Sequence, residues 1–420
     1  MTHNVFPIVL LAVVACSAKG DGDTGSDDFV DCSGTRWISA WAAPPTDVTT
    51  EVIGDQSVRL LLTPLRSGES ARIRLSNRYG TQPLPLSSVY LGKQDDGAAL
   101  RAGSQMPVLF DGQVEITIQP GEEVISDAVE QAIVAFEPVA ISAFVPAPGA
   151  ELTRHSLAMQ TSFLAPPESG DVAALEDADE YTVTMSDRAL VFGLEVRGPA
   201  SGAVIAMVGD SLTDGVQSDG VDLNTRYPDA LAGRLIEAGS DLSPINLGIS
   251  GNRVLGPAVF PDMGAALLDR IGTDVLVHDD VTDVVLFEGI NDLGVPPGTS
   301  ADDLIDGLAD AVGLLKQPRG ENPVPKVIVA TLTPAGNATG FLIGHAAAED
   351  RRQEVNDALR AGGIGDAVVD FDAAVRDPAD PSILAAEYDD GDGLHLSSAG
   401  YARLAEAIDL DSFVGRKCAK

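Results

Sequence analysis

The apolar residues of this chain change their spacing once, near residue 198, and the change limits what each half can fold into. From about Trp37 to Arg197 they recur at every second position. "ARIRLSN" alternates at Ile73 and Leu75, "QVEITIQ" at Val114, Ile116 and Ile118, and "LVFGLEV" at Leu190, Phe192, Leu194 and Val196. Successive side chains of an extended strand point to opposite faces, so this period predicts strands with one buried face. Turn-forming stretches such as "RYGTQPLP", "QPGEE" and "VPAPG" separate them. An all-β sandwich, jelly-roll-like, is expected over residues 37–198, with "PPESGDVAALEDADE" as an acidic surface loop.

After "RGPASG" short apolar runs alternate with helical stretches over residues 199–420. Val204 to Val208 reads as a buried strand, and "YPDALAGRLIEAG" as a helix with Pro228 in its first turn. "DVVLFEG" is a further strand, and "SADDLIDGLADAVGLL" a helix capped by Ser300. "KVIVATL", "AEDRRQEVNDALR", "AVVDFD" and "SSAGYARLAEAI" continue the alternation. This is an α/β pattern that implies a parallel sheet with helices on both faces. Ligands of such sheets bind beyond the carboxyl ends of the strands, so the polar residues just after each apolar run are the candidates for chemistry.

Charge and the N-terminus narrow the possible partners. With 63 acidic and 27 basic residues the formal charge is −36, which repels phosphate backbones; no nucleic-acid partner is expected. The apolar run from Val5 to Ala15 is too short to span a bilayer and suits a secretory signal. Val13-Val14-Ala15-Cys16 resembles a bacterial lipobox, which makes residues 1–16 a lipoprotein-type signal peptide, Cys16 the lipidated residue and the only membrane contact, and residues 17–36 a flexible acidic tether. An exported location permits a disulfide between Cys32 and Cys418, one near each end of the mature chain.

Four polar loops follow the predicted strands. The first holds Gly209, Asp210 and Ser211; the second Gly248, Gly251, Asn252 and Arg253; the third Gly289, Asn291 and Asp292; the last Asp392 and His395. In chemical terms Ser211 is a candidate nucleophile, His395 its general base and Asp392 the group that orients the imidazole. The backbone amides of Ser211 and Gly251 and the side-chain amide of Asn291 are candidate oxyanion donors. Gly248 competes with Gly251 for that role. Asp210, Asp292 and Arg253 are expected to brace the loops. Neither a metal nor another cofactor is expected: "HDD" at 278–280 lacks a neighbouring His or Cys and reads as a solvated loop, and His155, His278 and His345 have no Asp three residues before them. Trp37 and Trp41 are expected in packed core rather than stacked on sugars.

"GDSL" at 209–212, the glycine of "GISGN" at 251, "GIND" at 289–292 and "DGLH" at 392–395 together resemble the SGNH, or GDSL-type, hydrolase superfamily. "NLGISGNRVL", "EGINDLG", "HLSSAGY" and the pair Trp37 and Trp41 are similar to its bacterial two-domain members with a β-rich N-terminal half. The resemblance implies a three-layer, flavodoxin-like parallel-sheet hydrolase domain, favours Gly251 over Gly248, and points to a serine carboxylic-ester hydrolase acting on acylated small molecules or polysaccharides. Short acetyl esters of carbohydrates are the leading substrate. A lysophospholipase or broad lipase-like esterase is the alternative within the enzymes, and a non-catalytic carbohydrate-binding surface protein the alternative outside them.

Overall fold

The computed structural model describes residues 30–217, 220–320 and 322–419; Cys16 and the signal and tether expected around it lie outside them. The six longest strands of the N-terminal half are β1 (Thr35–Ala42), β2 (Gln56–Leu62), β3 (Ala71–Ser76), β4 (Ser88–Lys93), β6 (Val139–Val145) and β7 (Val191–Pro199), and the short β5 (Glu123–Ile125) pairs with β3. One antiparallel sheet runs β1-β7-β3-β5, and a second has β2, β6 and β4 at its centre. Between them Ile73, Leu75, Leu194 and Val196 from the first sheet share a core with Val58, Leu60 and Ile141 from the second. Burying each such side chain stabilises the fold by about 1.5–3 kcal/mol before the entropy of ordering is subtracted. The alternation over "QVEITIQ" is realised only in part: the strand covers Ile116–Ile118, and Val114 is exposed.

The acidic stretch 166–180 is mostly exposed but is not a free loop. The buried guanidinium of Arg59, in the middle of β2, donates to the carbonyls of Ala98, Leu175 and Asp177 and lies 3.9 Å from the centre of the Tyr181 ring. Both tryptophans meet arginines. Trp37 has Arg72 and Arg197 against its ring, and buried Trp41 has Arg188, so neither indole stands free.

The C-terminal half holds β8 (Ala203–Gly209), β9 (Leu242–Gly248), β10 (Val281–Phe287), β11 (Lys326–Ala330) and β12 (Ala367–Val369), all parallel, in the order β9-β8-β10-β11-β12. Chain order 2-1-3-4-5 is the flavodoxin-like winding, whose switch point lies between the first and third strands, β8 and β10. The helices fall into two groups. α2 (Tyr227–Glu237) packs on α6 (Ser398–Ala407), and α4 (Ala301–Leu315) on α5 (Glu349–Ala361). Right-handed crossovers to opposite sides of β8 put these groups on opposite faces of the sheet. Tyr227, Phe287 and Phe371 meet edge to face beneath the strand ends, with ring centres 5.0–6.3 Å apart.

β1 belongs to both cores. Ala40 and Trp41 join the sandwich, while Ile38 and Ala42 join the apolar cluster around the parallel sheet. Of the segment 278–280, expected to be solvated, His278 and Asp280 lie buried at this junction and Asp279 is exposed: Asp280 accepts from the Ser39 amide at 2.5 Å, and His278 Nδ1 is 3.2 Å from Ser39 Oγ. A surface reading failed there because the covering strand lies 241 residues away in sequence. Cys32 and Cys418 are joined by a disulfide, their Cα atoms 5.4 Å apart. Among the described residues no helix is long and apolar enough to cross a membrane.

Candidate active site

At the end of β8 the chain turns directly into a four-residue helix, α1 (Ser211–Asp214), whose first residue is the candidate nucleophile. The turn is tight. A Cβ on Gly209 would stand 2.1 Å from Thr213 Oγ1 and 2.3 Å from the Phe287 carbonyl, so only glycine fits there. Asp210 caps the helix, its Oδ1 accepting from the Leu212 amide at 3.0 Å. As the first amide of a helix, that of Ser211 has no intrahelical acceptor.

Ser211 Oγ lies 3.0 Å from His395 Nε2, and His395 Nδ1 lies 2.7 Å from Asp392 Oδ2. The other carboxylate oxygen of Asp392 accepts from the amides of Leu394 and His395 at 2.9 and 2.8 Å. Burial pushes this carboxyl up, but the imidazole and the two amides outweigh it and hold Asp392 well below the usual carboxylate range. The loop that carries the pair is pinned at both ends: Asp389 accepts from the amides of Gly391 and Gly393, and Ser397 caps α6 by accepting from the Gly400 amide.

The oxyanion candidates sit on two neighbouring loops. Gly251 adopts φ +77°, a left-handed conformation that favours glycine, and a Cβ there would meet Met263 Sδ at 2.5 Å. Among the described residues no acceptor is paired with the amide of Gly251 or with that of Ser211. Asn291, in α3 (Ile290–Gly294), spends one amide hydrogen on the Asn252 carbonyl at 3.0 Å, which leaves its second hydrogen to donate. Gly248 has a different task. It ends β9 against α1, where a Cβ would stand 2.2 Å from the Asp214 amide nitrogen, so it permits close packing. Asp292 accepts from the amides of Val254 and Leu255 at 2.9 and 3.0 Å, tying down the loop that begins at Gly251.

Arg253 makes no side-chain hydrogen bond among the described residues, and its Nε and Nη2 are buried without partners. The arginine that ties the loops together is Arg270, which sequence reasoning missed. Its buried guanidinium donates to the carbonyls of Gly209 and Leu247 and to Asn252 Oδ1, at 3.1, 2.9 and 2.9 Å, and lies 3.3 Å from Glu288. It thus joins the ends of β8, β9 and β10. Burial raises the Glu288 carboxyl to about 8 and that of Asp210 to about 7, although Arg270 draws both down.

His345 was also missed. Its Nε2 lies 3.2 Å from Asn291 Oδ1 and its Nδ1 3.1 Å from the Leu342 carbonyl. Both partners are acceptors and a neutral imidazole has one N–H, so it is the tautomer protonated at Nε2 that holds the Asn291 amide in place. Burial pushes the His345 imidazole below its ordinary range. No sequence spacing could have revealed it, because it acts from 54 residues away on a side chain rather than on the substrate. Among the described residues no group of three or more His, Cys, Asp or Glu side chains is placed to hold a metal ion.

Residues 207–403 match the GDSL-like Lipase/Acylhydrolase family. Among solved structures, the inhibitor-bound aryl esterase of M. smegmatis is 20% identical, with 51% of this chain and all of that one covered at a TM-score of 0.41. A carbohydrate acetylesterase from Sinorhizobium meliloti is 18% identical, covering 49% of this chain and 95% of that one at 0.37. The lipase/acylhydrolase from Enterococcus faecalis is 22% identical, covering 49% and 92% at 0.34. No curated protein matches the chain. The strand order and the family match agree on one half of the molecule: residues 207–403 form a GDSL-like lipase/acylhydrolase domain, and the chain that carries it is a carboxylic-ester hydrolase.

Proposed function

We propose that the protein cleaves carboxylic esters through an acyl-serine intermediate on Ser211, and the 3.0 Å approach of His395 Nε2 to Ser211 Oγ is the observation that carries this reading. His395 takes the hydroxyl proton as Oγ attacks the acyl carbon, and returns it to the departing alcohol oxygen. Asp392, kept ionised, holds Nδ1–H in place and stabilises the imidazolium formed in that step. The amides of Ser211 and Gly251 and the free hydrogen of Asn291 receive the developing oxyanion. Water activated by the same imidazole then releases the acid.

The leading substrate is a short acyl group, such as acetyl, on a carbohydrate. Met263 supports this choice, because it already fills the space against Gly251 and leaves little room for a long chain beside that donor. A second reading, an aryl or longer apolar ester, draws support from exposed Phe260 on the Gly251 loop and from exposed Phe341 and Ile343 beside His345. Turnover of chromogenic esters graded from acetyl to palmitoyl, by wild type and Ser211→Ala, tests both. Loss of turnover in the variant with fastest cleavage of the acetyl ester is expected. Equal rates for the two proteins would remove the acyl-serine mechanism, and preference for long chains would favour the second substrate. The protein would work outside the cytoplasm, tethered by lipid on Cys16; an unmodified native N-terminus beyond Cys16, found by mass spectrometry, would contradict that.

A further inference from the structure

We propose that the N-terminal β half positions the oxyanion donor at Gly251, an inference that rests on reading Ser211 as the acyl acceptor. Three separate contacts cross from the sandwich to the segment 250–252 and its cover. In the first, His155, in the short strand Thr153–His155, is buried and places Nε2 3.2 Å from Asp214 Oδ1. The other oxygen of Asp214 accepts from both the amide and the hydroxyl of Ser250, at 3.1 and 2.6 Å. One carboxylate at the end of the nucleophile helix thus links the sandwich to the residue preceding Gly251.

In the second, Ser156 Oγ donates to the Asp262 carbonyl at 2.6 Å. The next residue, Met263, lies against Gly251 and accepts from the Asn252 side-chain amide at 2.8 Å. In the third, Arg78 Nη1 lies 2.5 Å from Asp274 Oδ1, whose other oxygen is 3.7 Å from Arg270 Nη1, and Arg270 in turn donates to Asn252 Oδ1 at 2.9 Å.

The convergence matters because an oxyanion donor acts only when fixed, before reaction, at about 2.7–3.1 Å from the developing charge. Gly251 lies in a loop at a left-handed φ, where a glycine has more freedom than any other residue. The hydrolase half fixes this loop through Asp292, Arg270, Asp214 and the Asn252 amide, which donates to the Met263 and Ala265 carbonyls; of these, Asp214 is met by His155, and Arg270 is held through Asp274 by Arg78. His155, Ser156 and Arg78 touch no reacting atom. They are positioning residues, and the sandwich is a working part of the acyl-transfer site.

Two readouts test this on the full chain. Amide hydrogen exchange at Ser250, whose amide donates to Asp214, should quicken in His155→Ala while exchange across 392–395 stays as in wild type. With a chromogenic acetyl ester, His155→Ala should lose on the order of tenfold to a hundredfold in kcat with KM little changed. His155→Gln, whose amide nitrogen can take the place of Nε2, should regain most of it. The double variant His155→Ala/Ser250→Ala should be no slower than the slower single one, because both act through Asp214. Should His155→Ala fail to fold, Ser156→Ala removes the hydroxyl bonded to the Asp262 carbonyl and should likewise lower kcat with KM little changed; an unchanged kcat would then overturn the proposal. Unchanged exchange at Ser250, or losses that multiply in the double variant, would overturn the proposal. Absent turnover in wild type would instead sink the ester-hydrolase reading, while the exchange measurement still decides the positioning role.

Discussion

Asn291 and Glu288 stand three residues apart at the end of β10 and show how burial sets different tasks for neighbouring side chains. In the proposed reaction Asn291 offers one spare hydrogen to the oxyanion, so Asn291→Ala should lower kcat by about a hundred- to a thousandfold in steady-state assays, with unfolding little affected. His345→Ala, which frees the Asn291 amide to turn, should lower kcat by a smaller factor and leave KM in place. Glu288 ionises near 4.5 when unfolded but only near 8 when folded, so between these values the folded state holds a proton that the unfolded state has released. Stability from this group is therefore complete below about 4.5 and is lost as pH rises through 8. Tm measured at pH 5 and pH 8 should fall less between the two in Glu288→Gln than in wild type; an equal fall would show that the carboxyl titrates normally. Ser211, Asp392 and His395 were legible in the sequence because each stands directly after an apolar run or beside a cap. Arg270, Asp214 and His155 were not, since what they bind (backbone carbonyls, a distant carboxylate, or the amide and hydroxyl of Ser250) leaves no spacing to read.

The strands and helices of the parallel half were legible one by one, because a short apolar run followed by a capped amphipathic helix has few alternatives. Ser300 is one such cap, its hydroxyl accepting from the Asp303 amide at 3.1 Å. Ser300→Ala should cost about 1 kcal/mol in denaturant unfolding and leave kcat unchanged, since α4 meets the site only through its packing. The sandwich was legible as strands with turns between them, but not as a pairing order. Period two says which face of a strand is buried, and it is silent on which neighbour lies alongside. β1, for instance, pairs with β7 more than 150 residues later, and its role in both cores follows from that pairing. The same distance hid His278 and Asp280, whose acidic surroundings read as solvent-facing until β1 covers them.

At the scale of the whole molecule, a covalent link, a polar seam and the apolar residues of β1 hold the halves to one another. The disulfide joins residues 386 apart, Cys32 before the sandwich to Cys418 after the last helix. Closing so long a loop restricts the unfolded chain, and replacing both cysteines by serine should cost about 2–5 kcal/mol, read as a lower Tm under non-reducing conditions. A Tm equal to wild type would show that the link contributes nothing. The proposed ester cleavage stands on one event, transfer of an acyl group to Ser211. Incubation with a fluorophosphonate, followed by peptide mapping in a mass spectrometer, tests that event most directly. The account predicts a single adduct on Ser211 in wild type and none in Ser211→Ala or His395→Ala. An unmodified Ser211, or an adduct retained elsewhere in Ser211→Ala, would contradict it.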